Sequence, residues 1–254
     1  MEIEFLGTGT STGVPQIGCR CNVCRSVDPK DNRLRCSAIV RTKGLNLLID
    51  CGPDFRQQIL RASDYHLDAV LLTHIHYDHV GGMEDLRAYC ASAPFSVYGK
   101  VGLLSGIKSR IAYCFVSHPY PGVPSFDLHA IEDYKPFKIG EVEIEPLPVL
   151  HYKLWIQGFK IGNLAYITDA KQVPEETIHR IEGIDTLVIN ALRMEPHLSH
   201  TSLSECLDVV KRVHPRRVFL THMSHGIGLQ SETEKQLPEN VRMAFDGLHV
   251  SIAE

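Results

Sequence analysis

Thr73-His-Ile-His-Tyr-Asp-His-Val80 constrains this chain more than any other stretch. It sets three imidazoles and one carboxylate within six residues, directly after the apolar run Ala69 to Leu72. A short run of that kind reads as a strand. At a strand end, His74 and His76 can point one way while Asp78 and His79 turn into the following loop, so four donors converge on one small volume. Imidazole and carboxylate donors suit zinc, manganese and iron. Three more donors also follow apolar runs: His151 after Pro146 to Leu150, Asp169 after Leu164 to Thr168, and His222 after Val218 to Thr221. Functional groups of open α/β sheets gather at strand ends, which makes the recurrence informative. Seven ligands exceed the needs of one tetrahedral zinc and suit two metals that share a carboxylate and a hydroxide.

The rest of the chain reads as the frame for those strand ends. Apolar strand-like runs alternate with amphipathic segments, and no low-complexity stretch, charge block or repeat marks a linker, so 1–254 is expected to be one domain. Strands are predicted at 2–6, 37–41, 46–49, 69–73, 95–98, 141–146, 154–159, 164–168, 186–189, 217–221 and 248–252. Helices are predicted at 53–62, 82–91, 101–113, 174–181 and 202–213, the last opened by Ser202 and Glu205 at capping-box spacing. Early strands in pairs and later strands separated by helices predict mixed sheets with helices outside, an α/β sandwich. A formal charge of −4 and the lack of a basic run argue against a general nucleic-acid binder. The opening Met1-Glu-Ile-Glu-Phe-Leu-Gly has neither the basic start nor the apolar core of a secretory signal, so a cytoplasmic, membrane-free protein is expected.

Eight cysteines occur, at 19, 21, 24, 36, 51, 90, 114 and 206. In a chain neither small nor visibly secreted, a disulfide framework is not expected. Cys19, Cys21 and Cys24 stand at CxCx₂C spacing, compact enough to hold one zinc from three sides at a loop over about 18–25. His225 is the expected fourth ligand, because it follows His222 by three residues and can face away from the first cluster.

His74, His76, Asp78, His79, His151, Asp169 and His222 match the pattern HxHxDH followed by a distant His, Asp and His. In this the chain resembles the metallo-β-lactamase superfamily over nearly its whole length. The resemblance implies an αββα sandwich of two mixed β-sheets flanked by helices. It also implies that His74, His76 and His151 hold one metal and that Asp78, His79 and His222 hold the other, with Asp169 bridging. Asp50, in Leu-Leu-Ile-Asp-Cys-Gly, matches an aspartate that orders the metal loop without binding metal. With Gly7-Thr-Gly-Thr, the cysteine loop, Leu150-His151, Ser224-His225 and Phe245-Asp246-Gly247 added, the chain looks like the phosphoribosyl cyclic phosphodiesterases, a branch near the tRNA 3′-processing endonucleases. No long insertion of the kind that grips tRNA is seen, which favours a small substrate. His200, in Pro-His-Leu-Ser-His-Thr-Ser, matches that branch's proton donor, with His197 a rival three residues away. A non-ligand histidine of near-neutral pKa suits a departing ribose oxygen.

The expected cofactors are two divalent ions, Mn²⁺ or Zn²⁺, at the catalytic site and one structural Zn²⁺ at the cysteine loop. Two such cations carry four positive charges, of which Asp78, Asp169 and a bridging hydroxide remove three, so the site stays attractive to a phosphodiester anion. Asp78, Asp169 and His200 are the side chains expected at the reacting centre, and a phosphomonoester is the expected product. Other classes remain open: a lactone, thioester or β-lactam hydrolase, a tRNA-processing type of nuclease, and a noncatalytic metal-binding partner protein. The last two would show a basic docking surface or an incomplete HxHxDH set. His118 and Lys153 are expected to be solvated loop residues. Related folds often dimerise, so a homodimer is an expectation carried by the resemblance alone.

Overall fold

Residues 1–118 and 120–253 are described in a computed structural model. The chain lays down two seven-stranded sheets, one from each half apart from the C-terminal strand. The first holds β1 (Glu2–Gly7), β2 (Ser37–Thr42), β3 (Leu45–Ile49), β4 (Ala69–Leu71), β5 (Phe95–Gly99) and β6 (Phe126–Ala130). The second holds β7 (Phe137–Ile139), β8 (Val142–His151), β9 (Leu154–Ile161), β10 (Leu164–Ile167), β11 (Thr186–Asn190), β12 (Arg217–Thr221) and β13 (Val241–Met243). The last strand, β14 (His249–Ser251), returns to pair with β1. In each sheet one half is antiparallel and the other parallel, the change falling between β2–β3 and β3–β4 in the first and between β9–β10 and β10–β11 in the second. The expected sandwich of two mixed sheets is therefore the architecture.

Alternation along the strands explains the layers. Leu47 and Ile49 face inward, where they meet Phe159, Ile161, Tyr166 and Phe219 of the other sheet, while Leu48 between them faces outward. That outward face is covered by α1 (Phe55–Arg61) and, past the short α2 (Tyr77–Val80), by α3 (Val101–Arg110). The second sheet is covered by α4 (Glu175–Ile181) and α5 (Leu203–Val213), the latter opened by the Ser202/Glu205 capping box. Apolar faces on both sides of each sheet are what near-continuous Val, Ile and Leu runs require.

Several local expectations need correction. The segment expected as a helix over 82–91 is a 3₁₀ segment, Met83–Tyr89, whose start is wedged against neighbouring backbone. A Cβ on Gly82 would lie 2.1 Å from the Gly52 carbonyl oxygen. Asp78 and His79 are not in a loop but on the single turn of α2. Strands β6, β7 and β13 are additional to those expected, being short sequences (FDLHA, FKI and VRM) at or near sheet edges that carry little apolar pattern. β8 runs to His151 through Pro146 and Pro148 because β7 pairs with it only as far as Ile144, leaving those two positions on an open edge that proline tolerates. No helix among the described residues is long and apolar enough to cross a membrane.

Candidate metal centre

Five strands end around one point, and three of them leave their sheet by the same device. Asp50 after β3, Asp169 after β10 and His222 after β12 have φ of 60°, 58° and 53°. Left-handed backbone is costly for most side chains, and Asp and His are among the residues that visit it most. Each turn swings its side chain from the sheet face to the sheet end. His74 and His76 follow β4, and His151 closes β8.

These seven donors fall into two groups whose ligand atoms lie within 4.8 Å of one another: His74, His76 and His151, and Asp78, His79, Asp169 and His222. In the first, His74 Nε2 and His76 Nδ1 are 3.0 Å apart. In the second, His79 Nε2 lies 3.1 Å from Asp78 and 3.3 Å from Asp169, and His222 Nε2 lies 3.1 Å from Asp169 Oδ1. Asp169 also groups with His151 and His200, so its carboxylate faces both sides of the site.

The surroundings orient the ligands. His79 Nδ1 donates to Asp50 Oδ2 at 2.6 Å, His151 Nδ1 to the Ser199 carbonyl at 2.9 Å, and His74 Nδ1 to Thr73 Oγ1 at 3.0 Å. Each leaves Nε2 as the inward-facing nitrogen, the arrangement that metal-ligating histidines adopt. His79 Nε2 is buried and aligned for no hydrogen bond, although two carboxylates are near. A buried ring nitrogen of that kind, beside carboxylates and other imidazoles, fits divalent cations, which would take the place of its proton. Gly52 permits the assembly: a Cβ there would sit 2.1 Å from the Asp78 carbonyl oxygen.

Charge follows the same geometry. Although burial opposes it, Asp169, Asp50 and Asp78 hold the His79 imidazole well above its ordinary pKa. Burial likewise opposes the charge of Asp169, but His222 and His79 pull it well below the usual carboxylate range. Burial and the neighbouring His79 push His74 well below the ordinary histidine value.

Of the two candidate proton donors, His200 is the one at the centre. Its Nε2 lies 3.0 Å from Asp169 Oδ1, and its ring stacks on His222 at 5.0 Å. His197 stands behind it, 3.3 Å from His200 Nδ1. The near-neutral pKa expected of His200 is not what the structure gives: burial pushes it down to about 4, against the pull of Asp169. His118 is exposed and contacts Ser117, while Lys153 lies over the Tyr152 ring.

Sequence reasoning passes over the residues that hold the ligands. Thr73 donates to Asp50 and Thr168 Oγ1 donates to Asp169 Oδ2 at 2.6 Å, whereas Thr221 Oγ1 meets the buried Cys36 thiol at 3.2 Å and not a ligand side chain. A signal is present, since Thr73-His74, Thr168-Asp169 and Thr221-His222 are three threonine-ligand pairs.

The second cluster is separate. Cys19, Cys21, Cys24 and His225 bring four donor atoms within 4.8 Å, and both Cys19 Sγ and Cys21 Sγ are 3.3 Å from His225 Nδ1. All eight cysteines are free thiols. The Cys24 backbone N–H, with help from His225, pulls the exposed Cys21 down to about 6, whereas burial pushes Cys24 up to about 11.

Residues 45–223 match the family described as a β-lactamase superfamily domain. An octanoyltransferase of Porphyromonas gingivalis is 42% identical over 256 residues, covering 100% of this chain. The chain spans about half, 52%, of that protein's length. A diphosphatase from the PhnP family is 33% identical with a TM-score of 0.91, covering 99% of this chain and 98% of that one. The Zn²⁺-bound PqqB of Methylobacterium extorquens has a TM-score of 0.80 at 21% identity, covering 99% of this chain and 100% of that one, and so speaks to the fold.

Proposed function

The chain belongs to the metallo-β-lactamase superfamily, and from that premise we propose that it is a metal-dependent phosphodiesterase acting on a small cyclic ribose or nucleotide phosphodiester. The observation that carries this reading is His200, a histidine outside both ligand groups of the HxHxDH site whose Nε2 stands 3.0 Å from the shared carboxylate of Asp169. An alkoxide leaving from phosphorus needs a proton donor of this kind.

His74, His76 and His151 would hold one cation and Asp78, His79 and His222 a second, with Asp169 shared between them. Divalent cations bound there supply positive charge for the phosphodiester and acidify water in the site. The protein's part is orientation and proton delivery. Asp50, Thr73 and the Ser199 carbonyl fix the imidazoles by their Nδ1–H groups. In the free site, burial keeps His200 neutral at pH 7. An entering phosphodiester sets negative charge beside it and raises its pKa, so substrate and proton arrive together. His200 Nε2 then protonates the departing ribose oxygen as water adds to phosphorus, and the proton that the water gives up passes to solvent or back to the imidazole, leaving a phosphomonoester. Cys19, Cys21, Cys24 and His225 would hold a structural zinc away from the chemistry.

A second reading draws on the diphosphatase relative: the same centre can take a phosphoanhydride, whose phosphate leaving group needs no proton. The test is turnover of bis(p-nitrophenyl) phosphate, a nucleoside diphosphate, a β-lactam, a lactone and a thioester by chelated protein resupplied with Mn²⁺ or Zn²⁺. Metal-dependent cleavage of the diester supports the proposal. Cleavage of an acyl substrate alone overturns it.

A further inference from the structure

The tip of the β8–β9 hairpin stands at the mouth of the metal centre. His151 pairs across the hairpin with Leu154, and Leu150 with Trp155. Two residues further on, the Gln157 amide donates at 3.1 Å to the carbonyl of Thr73, the residue before His74. The strand that carries Trp155 therefore runs between the two segments that supply His74, His76 and His151. Tyr152, Leu154 and Trp155 are 47%, 39% and 52% exposed. On α2, between His76 and Asp78, Tyr77 is 58% exposed and lies against Gly81, where a Cβ would come within 2.6 Å of its ring. None of these side chains belongs to the three buried clusters that hold the sandwich together. The fold gains little from them, and apolar surface left in water is unfavourable. Their position calls for a ligand with a planar apolar part joined to an anionic part, the first for the rim and the second for the polar centre.

We infer that the Trp155 and Tyr152 rim is a nucleobase subsite, so that the substrate class is a nucleoside phosphodiester and not a bare sugar phosphate. The inference rests on the phosphodiesterase reading for what happens at the centre, but the rim makes its own claim. An aromatic face stacks on any base, so this subsite selects for the presence of a base and little among bases. The Lys153 ammonium lies 5.2 Å over the Tyr152 ring and adds a positive charge to the same tip.

Trp155 is the single tryptophan of the chain, so its emission reports on this spot alone. The metal-loaded protein is titrated with adenosine 3′-monophosphate and, separately, with ribose 5-phosphate. Quenching by the nucleotide and not by the sugar phosphate is expected. An equal response to both, or none to either, overturns the inference. So does emission that changes on diluting the protein alone, which would make the rim a contact between copies. In turnover, Trp155→Ala is expected to raise the KM for 2′,3′-cyclic AMP roughly ten- to hundred-fold relative to the KM for a base-free cyclic ribose phosphate. Trp155→Phe should restore most of the difference. A KM ratio that does not move also overturns the inference. Nucleotide quenching without cleavage of any diester would instead refute the phosphodiesterase reading and leave the subsite standing.

Discussion

Asp50→Asn is the most informative single change, because Asp50 touches no candidate ligand position directly except through His79. The carboxylate is fully buried and accepts from the Thr73 amide at 2.8 Å, the Thr73 hydroxyl at 2.8 Å and His79 Nδ1 at 2.6 Å. Its φ of 60° is one that asparagine tolerates as well as aspartate, so the substitution leaves the backbone alone. Asparagine has one accepting oxygen where three donors need two. If that oxygen serves the Thr73 amide, the new NH₂ faces His79, whose proton must move to Nε2, the atom turned toward Asp78 and Asp169. If it serves His79, the NH₂ opposes the Thr73 amide. Either way one buried group loses its partner, at about 1–3 kcal/mol. For a chain of this size that lowers Tm by roughly 2–12 °C. Loss of an orienting partner of this kind weakens metal binding about 10- to 100-fold, or about 1.4–2.8 kcal/mol. Calorimetric titration of chelated protein with Zn²⁺ or Mn²⁺, beside a thermal melt, measures both. Unchanged affinity and stoichiometry in the variant would refute the orienting role and with it the tautomer argument for His79.

Other outcomes follow from the same geometry. His200→Ala should lower kcat about 10²- to 10⁴-fold on a diester with an alkoxide leaving group and far less on bis(p-nitrophenyl) phosphate, whose leaving group needs no proton. Equal losses on both would move the donor elsewhere. In metal-free protein, alkylation of Cys21 should rise with pH around a midpoint near 6, because the thiolate is the reactive form and lies above that pKa, and Zn²⁺ should protect it. A midpoint at an ordinary thiol value would sink the prediction. Cys21→Ser should release one zinc per chain by metal analysis while the catalytic-site metals remain. Chelation of the whole protein should lower Tm by on the order of 10 °C, since a ligand at a thousand times its Kd adds about 4 kcal/mol.

Much of the site is legible in the chain's residue order, for a physical reason. Metal donors must leave strand ends to converge, so apolar runs followed by His or Asp mark them in one dimension. His74, His76, Asp78, His79, His151, Asp169 and His222 carry that mark and do come together. Cys19, Cys21 and Cys24 are fixed by local spacing, and His225 joins them from more than 190 positions away. The layered fold is readable because alternating and continuous apolar runs have different faces to bury, whereas edge strands such as β6, β7 and β13, with less to bury, leave little trace.

Only the tertiary structure decided the rest. The left-handed turns at Asp50, Asp169 and His222 depend on what surrounds each strand end, and sequence carries no mark of φ. The pKa of His200 comes from burial between Asp169, His222 and His151, which no local pattern encodes. That His200 and not His197 stands against the Asp169 carboxylate, 31 positions earlier, is set by a contact of 3.0 Å. Trp155 became informative for the same reason: in sequence it is one more strand residue, and only the pairing of β8 with β9 sets it one residue beyond the partner of His151. The sequence by itself determined which donors exist and that they end strands; the fold determined how each is oriented, what charge it carries and what surrounds it, because those depend on neighbours far away in the chain.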